Sequence, residues 1–321
     1  MTIGQNSLRT LSLRGVRALI MEEMDMATPE SWVDGISFES TTNQLDGESY
    51  KWLSQVPKFR EWIGSRQASG FDTKGFDVPN KKWDNGIEFL KDWLTYEKNG
   101  QLMQRIKEFG QTDVELLEDL VIDQLLAATT TLCYDGQFLV DTDHQEENSP
   151  VQSNKIDLDI SAAPVSSHGS VANPTVQEMA WAIRQTVTKM WGFVSGKNRK
   201  LNRRAKKFTL FCSLNYQAQV FDALKLAFLG GGETNALANE RFKVDVETGP
   251  EFSGWTDKFT MCRTDGPSKP FMRQKLGGLE WTEWDESSDY YKDTGMLKIG
   301  LDRHLNVVPA SWAQICQTTL I

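Results

Sequence analysis

Asp141-Thr142-Asp143-His144 closes a short apolar run, Phe138-Leu139-Val140. Two carboxylates and an imidazole at that spacing suit phosphoryl or metal chemistry. An apolar strand that ends in Asp-x-Asp can present the first carboxylate to phosphorus, while the second works as general acid and base beside Mg²⁺. A hydrolase using Asp141 and Asp143 is therefore one reading of the chain. The wider stretch, Thr129 to His144, also reads as architecture: the end of a long helix, a Tyr134-Asp135-Gly136 turn, a strand and a polar loop. On that reading Asp141, Asp143 and His144 organise the loop through local side-chain to backbone hydrogen bonds.

The elements that must position these groups decide between the two. Asp141-x-Asp143 matches the first motif of haloacid-dehalogenase-like phosphatases, whose acidic strand sits first among alternating βα units. Here a long helix and a turn precede the motif, and a polar loop from Gln145 to Pro174 follows it. That order favours architecture. Cys133 beside His144 has no neighbour that would lower a thiol pKa. His168 and His304 are isolated and lack a second ligand at helical spacing. The four cysteines, Cys133, Cys212, Cys262 and Cys316, lie far apart, so neither a zinc site nor a disulfide framework is indicated. Gly230-Gly231-Gly232 lacks a following Gly-Lys-Ser/Thr and reads as a helix stop. No catalytic, cofactor-binding or metal-ligating residue is assigned.

The 321 residues are 39% hydrophobic, with net charge −9 and a pI near 5.1. That is enough apolar material for a real core, and an acidic balance that argues against a general nucleic-acid binder. Arg9, Arg14 and Arg17 interrupt the N-terminal leucines, so no secretory signal is read, and no apolar run approaches a membrane span. The basic residues cluster once, at Lys197, Arg199, Lys200, Arg203, Arg204, Lys206 and Lys207. Arg199, Lys200, Arg203 and Arg204 are candidates for contact with phosphate or with an acidic surface on another copy.

Along the chain, Leu8 to Met24 is weakly amphipathic. Trp52 to Tyr96 alternates aromatics with charge and reads as an elongated two-stranded excursion with little core, in which Asn85-Gly86 signals a tight hairpin turn. Leu102 to Ala128 has helical spacing, with Gly110 as a possible break and Thr112-Asp113 as a second cap. A strand is expected at Ile156 to Ile160. A second helix is expected from Asn173-Pro174, then a strand at Phe208 to Cys212 and a helix from Asn215 to about Phe228. Further strands are expected at Phe242 to Val246, Phe259 to Arg263, Phe271 to Gln274 and Met296 to Val308. The class is α+β. A long loop with aromatics and no core needs a partner to cover it, which makes Trp52, Phe59, Arg60, Trp62, Arg66, Phe71 and Trp83 candidate inter-subunit contacts.

Several segments together resemble one family. Trp52-Leu-Ser-Gln-Val-Pro-Lys-Phe-Arg-Glu-Trp-Ile-Gly-Ser-Arg66 resembles the segment that opens the extended loop of major head subunits of Mu-like phages. Thr129 to His144 is similar to that family's strongest motif, and Lys269-Pro-Phe-Met-Arg-Gln274 to a later one. Gly300-Leu-Asp-Arg303 through Val307-Val-Pro-Ala310 is similar to the closing strand of tailed-phage capsid proteins. The resemblance implies the chain-mail capsid fold of tailed phages, HK-ninety-seven type. Residues 1–50 would be an N-terminal arm, 51–98 an extended β-hairpin loop and 99–173 a peripheral domain with a spine helix. Residues 174–270 would be an axial domain and 271–321 the strands returning to the peripheral domain. It implies a non-enzymatic, self-assembling subunit forming hexamers and pentamers of an icosahedral shell around double-stranded DNA that it does not read by sequence. The expected partners are a separate scaffold or protease, a portal and decoration proteins, with assembly in the host cytoplasm, no membrane and no cofactor. A phosphatase, or another self-assembling virion component such as a tail protein, is the alternative.

Overall fold

The computed structural model describes residues 13–28, 31–53, 73–96, 100–146, 148–196, 198–225 and 241–321. Helices α1 (Leu13–Ala27), α2 (Val33–Ile36), α3 (Lys91–Tyr96) and α4 (Gln101–Leu126) share the N-terminal half with strands β1 (Ser37–Thr42), β2 (Glu48–Leu53), β3 (Thr73–Val78) and β4 (Lys82–Leu90). Then follow β5 (Lys155–Leu158), α5 (Val176–Gly192), β6 (Lys207–Ser213), α6 (Gln217–Lys225), β7 (Lys243–Gly249) and β8 (Lys258–Arg263). The chain closes with β9 (Phe271–Trp284), α7 (Asp289–Thr294), β10 (Met296–Pro309) and β11 (Ile315–Leu320). Three sheets result: β1-β9-β10-β4, β5-β11-β8-β6-β7, and the two-stranded β2-β3. The class is α+β, as the sequence indicates.

The 26-residue α4, about 39 Å at 1.5 Å per residue, ties two cores together. Its first turns place Leu102, Ile106 and Phe109 against Val16 and Ile20 of α1 and against Phe89, Leu297 and Ile299 of the four-stranded sheet. Its last turns place Leu120, Val121 and Leu125 in the larger core with α5, the five-stranded sheet and Trp312. Gly110 is not a break, and Thr112-Asp113 is not a cap: the helix is continuous through both. A Cβ at Gly110 would lie 2.9 Å from the Ile20 carbonyl oxygen and 2.9 Å from Glu23 Cβ, so glycine is what lets α1 cross α4 closely. Thr112 instead back-bonds the Phe109 carbonyl at 2.8 Å.

Other expectations are corrected in ways that have physical causes. Asn85-Gly86 is not a turn but the middle of β4, paired with Leu301 and Gly300 of β10. Ile87 and Phe89 alternate inward along the strand, and burying them outweighs the local turn preference. The strand read at Phe271 to Gln274 runs on to Trp284, because Gly277 (φ 68°) absorbs a bulge where β10 shifts register between Asp302 and His304. The second helix starts at Val176, not Pro174. Thr175 caps it in a full capping box with Glu178. A 3₁₀ turn, Leu214–Tyr216, precedes α6, and the Gly230-Gly231-Gly232 stop lies outside the described residues.

Candidate functional site

The Asp141-x-Asp143-His144 stretch is held in a corner between α4 and β5. Phe138-Leu139-Val140 is not a strand: it makes a single antiparallel bridge, Phe138 to Leu132. The Tyr134-Asp135-Gly136 turn forms as expected. Gly136 adopts φ 86°, its amide donates to Cys133 O at 3.0 Å, and the Cys133 amide donates to Gln137 O at 2.7 Å. Asp135 Oδ1 accepts from the Gln137 amide at 3.3 Å. Its Oδ2 lies 2.7 Å from His144 Nδ1, so that nitrogen carries a proton and donates to the carboxylate. Both side chains are sealed from solvent, 0% exposed for His144 and 1% for Asp135. The imidazole stacks on Trp312, centroids 4.6 Å apart and planes within 5°.

Asn154 knots this corner to the C-terminal strands. Its side-chain amide donates to Leu139 O at 2.7 Å and Trp312 O at 3.0 Å, and its oxygen accepts from the Asp141 amide at 2.9 Å. Gln152 does the same for the next loop, exchanging bonds of 2.7 Å with both the amide and the carbonyl of Val194. Neither Asn154 nor Gln152 carries a motif signal. Both are buried or half-buried amides in a stretch that reads as plain polar loop, and the nearest hint was its content of Asn and Gln flanking a strand candidate.

This geometry overturns the hydrolase reading. Asp141 and Asp143 do not end a parallel strand, and Asp141 Oδ1 accepts from the Thr142 amide at 2.7 Å, a local loop bond. His144 faces the interior and is committed to Asp135. The Cys133 thiol is pushed well up by burial, then by the Asp135 charge, the reverse of an activated nucleophile. Among the described residues no group of three or more His, Cys, Asp and Glu is placed to hold a metal ion.

His168 joins a different constellation. Its Nδ1 lies 2.9 Å from Glu178 Oε1, and the buried Glu178 carboxylate also accepts from the Thr175 amide at 2.7 Å, the Thr175 hydroxyl at 3.0 Å and the Gly169 amide at 3.1 Å. Burial alone would raise the Glu178 pKa. The amides of Thr175 and Gly169, then His168 and the Thr175 hydroxyl, outweigh it and hold the pKa below the ordinary value. A depressed carboxylate pKa stabilises the fold fully above the ordinary carboxylate range, and that share is lost as pH falls through the folded-state value. We expect the stability of the unassembled subunit to fall less steeply below about pH 4.5 in Glu178→Gln than in the parent. Equal slopes in urea unfolding at pH 5, 4 and 3 would refute this. His304 lies in β10, half-exposed, opposite Lys82 and Leu276.

Of the candidate contact residues, Trp83 is half-buried in β4 and its indole donates to Leu305 O at 2.8 Å, inside the subunit. Trp52 lies in β2, paired with Lys74 of β3. Phe59, Arg60, Trp62, Arg66 and Phe71 lie outside the described residues, as does Lys197. Arg199, Lys200, Arg203 and Arg204 are exposed on the loop from α5 to β6, where Lys200 Nζ also donates to Gly192 O at 2.7 Å. No helix among the described residues is long and apolar enough to cross a membrane.

Residues 19–164 match the family model of the Mu-like prophage major head subunit gpT. Two of the four resembling segments, Trp52 to Arg66 and Thr129 to His144, fall inside that range. A major head subunit of the Mu-like prophage FluMu of Haemophilus influenzae is 38% identical over 96 residues, 30% of this chain and 31% of the relative. The match thus spans about a third of the relative's length. Among solved structures, a subunit of the procapsid of bacteriophage JBD30 aligns over 96% of this chain and 74% of its own, at 17% identity and a TM-score of 0.52. The capsid of cyanophage P-SCSP1u aligns over 89% and 86%, at 10% identity and a TM-score of 0.55. The fold is that of tailed-phage capsid subunits.

Proposed function

We propose that this chain is the major head subunit of a Mu-like tailed phage or prophage, a structural protein that assembles in many copies into an icosahedral shell. The observation that carries the reading is the coincidence of two independent likenesses: a family match over residues 19–164 and a capsid fold over nearly the whole chain. The physical layout agrees. The β2-β3 hairpin forms a sheet of its own, joined to the rest through a small cluster of Val78, Met272 and Ala310 with Phe38, Tyr50, Phe76 and Val308. A two-stranded sheet on so small a base is marginal alone and gains most from lying on a neighbour.

In this reading residues 1–50 form the N-terminal arm and 51–98 the extended loop, with Trp52, Phe59, Arg60, Trp62, Arg66 and Phe71 facing a neighbouring subunit. Residues 99–173 and 271–321 form the peripheral domain, with α4 as its spine, and 174–270 the axial domain, save that β5 and β11 join the five-stranded sheet of the axial strands β6, β7 and β8. The copies group into hexamers and pentamers in the host cytoplasm, with a separate scaffold or protease, a portal and decoration proteins, around double-stranded DNA. The test is electron microscopy of the purified protein, expressed with and without a co-encoded scaffold. Capsomers, tubes or shells are the expected products; a protein that stays monomeric at every concentration and with every scaffold would end the proposal.

A further inference from the structure

The chain is acidic, yet one ridge of it is predominantly cationic, with Asp265 and Asp245 as its acidic neighbours. Arg203, Arg204, Lys206 and Lys207 are exposed at the end of the α5–β6 loop, and strand register sets Lys207 beside the exposed Lys243 at the start of β7. Among the described residues no ion pair within the subunit neutralises these five. The loop that carries them is stiff. Its Asn202 side chain is buried and donates to Met190 O and Ala313 O, while Arg263 bonds Asn202 Oδ1 at 3.1 Å. Asp265 holds the Lys206 amide at 2.7 Å. A fixed loop backbone leaves only the Arg and Lys side chains to be ordered on binding.

The complementary surface lies at the other end of the same strand pair. Glu115, Glu118 and Asp119 of α4 face Glu247 and Glu251 across a groove of ≈ 390 Å³, floored by Trp32 and Phe252. Burial and neighbouring carboxylates push up the pKa of Asp119, through Asp123 and Glu251, and of Glu247, through Glu118 and Asp245. Among the described residues no ion pair within the subunit neutralises these carboxylates. From Lys243 to Glu247, four steps of about 3.3 Å put roughly 13 Å between the nearest charges of the two patches along β7, and no ion pair joins them among the described residues.

We propose that the basic ridge of one copy docks on the acidic groove of a second copy, head to tail. The inference rests on the capsid reading and deepens it. Two different patches on one subunit make a heterologous contact, and such contacts close into rings when the rotation allows. Opposite charges at the two ends also set the polarity of the ring and speed encounter at low salt.

A charge-swap experiment decides it. Arg203→Glu with Arg204→Glu, and separately Glu247→Lys with Glu251→Lys, should each lower the yield of capsomers at low salt at least tenfold, with the unfolding midpoint of the unassembled subunit unchanged. Combining all four substitutions should restore part of the lost assembly, because the new carboxylates at positions 203 and 204 then meet the new lysines at positions 247 and 251 while the other charges of both patches stay as they were. Arg203→Gln with Arg204→Gln covers the case in which the reversal misfolds, and should give an intermediate loss. Assembly unaffected by either reversal, or not even partly restored by the combination, overturns the inference while leaving the capsid reading intact. So does normal assembly with lost nucleic-acid retention, which would make the ridge a phosphate contact. A parent protein that never assembles overturns both.

Discussion

His144→Ala destabilises the subunit by about 3–5 kcal/mol, measured as urea unfolding of the unassembled protein, whereas Asp141→Asn changes it by no more than about 0.5 kcal/mol. The contrast follows from where each side chain points. His144 is sealed from solvent and supplies the short partner of the Asp135 carboxylate, which is itself buried. Without the imidazole, Asp135 keeps, among the described residues, the longer bond from the Gln137 amide. A carboxylate left buried without its main partner is among the largest single-site penalties, because its lost hydration is no longer compensated. Trp312 loses its stacked neighbour in the same step, and the cavity beside it cannot fully close. Asp141, by contrast, bonds its own loop through an oxygen that asparagine also has. Against a total stability of order 5–15 kcal/mol, the first loss is about a fifth of the whole or more and the second about a tenth or less. If Asp141→Asn proves as costly as His144→Ala, the corner is not organised as described.

The sequence made the corner's shape legible and hid its wiring. Tyr134-Asp135-Gly136 announces a turn because glycine accepts the left-handed φ and aspartate bonds an amide two residues on. The repeat from Leu102 to Leu125 announces α4, because its stripe is long enough to serve two cores. What local pattern cannot supply is the partner at long range. His144 reads as chemistry in sequence because Asp135, nine residues back, and Trp312, far ahead, are not visible beside it. Asn85-Gly86 misleads for the same reason: its fate is set by β10, some 215 residues later. β11 went unread because Ile315-Cys-Gln-Thr-Thr-Leu320 is buried on both faces and so shows no alternation. The basic ridge was legible as a cluster, but its acidic counterpart was not, since it gathers residues from α4 and from the far end of β7.

Asn154→Leu is expected to cost about as much as His144→Ala, 3–5 kcal/mol, through loss of hydrogen bonds with almost no loss of volume. Asn154 is fully buried and serves three backbone groups from three places: Leu139 O, the Asp141 amide and Trp312 O. Each group left unpaired away from water costs roughly 1–3 kcal/mol, and leucine can answer none of them. The same bonds fix the relation between the corner and β11, because Asn154 also accepts at its carbonyl from the Gln317 amide at 2.9 Å, one residue before β5 pairs with β11. Leucine keeps that backbone bond, so β5 should still form while the corner loosens from Trp312. The measurement that separates the two is amide hydrogen exchange on the unassembled subunit. Protection should drop at Asp141 and through the Cys133–Leu139 turn, and persist at Gln317 and along β11. Uniform loss across both would mean that Asn154 holds the whole five-stranded sheet. No loss at Asp141 would mean that the corner is held by the His144–Asp135 pair alone, and the two substitutions would then have unequal costs.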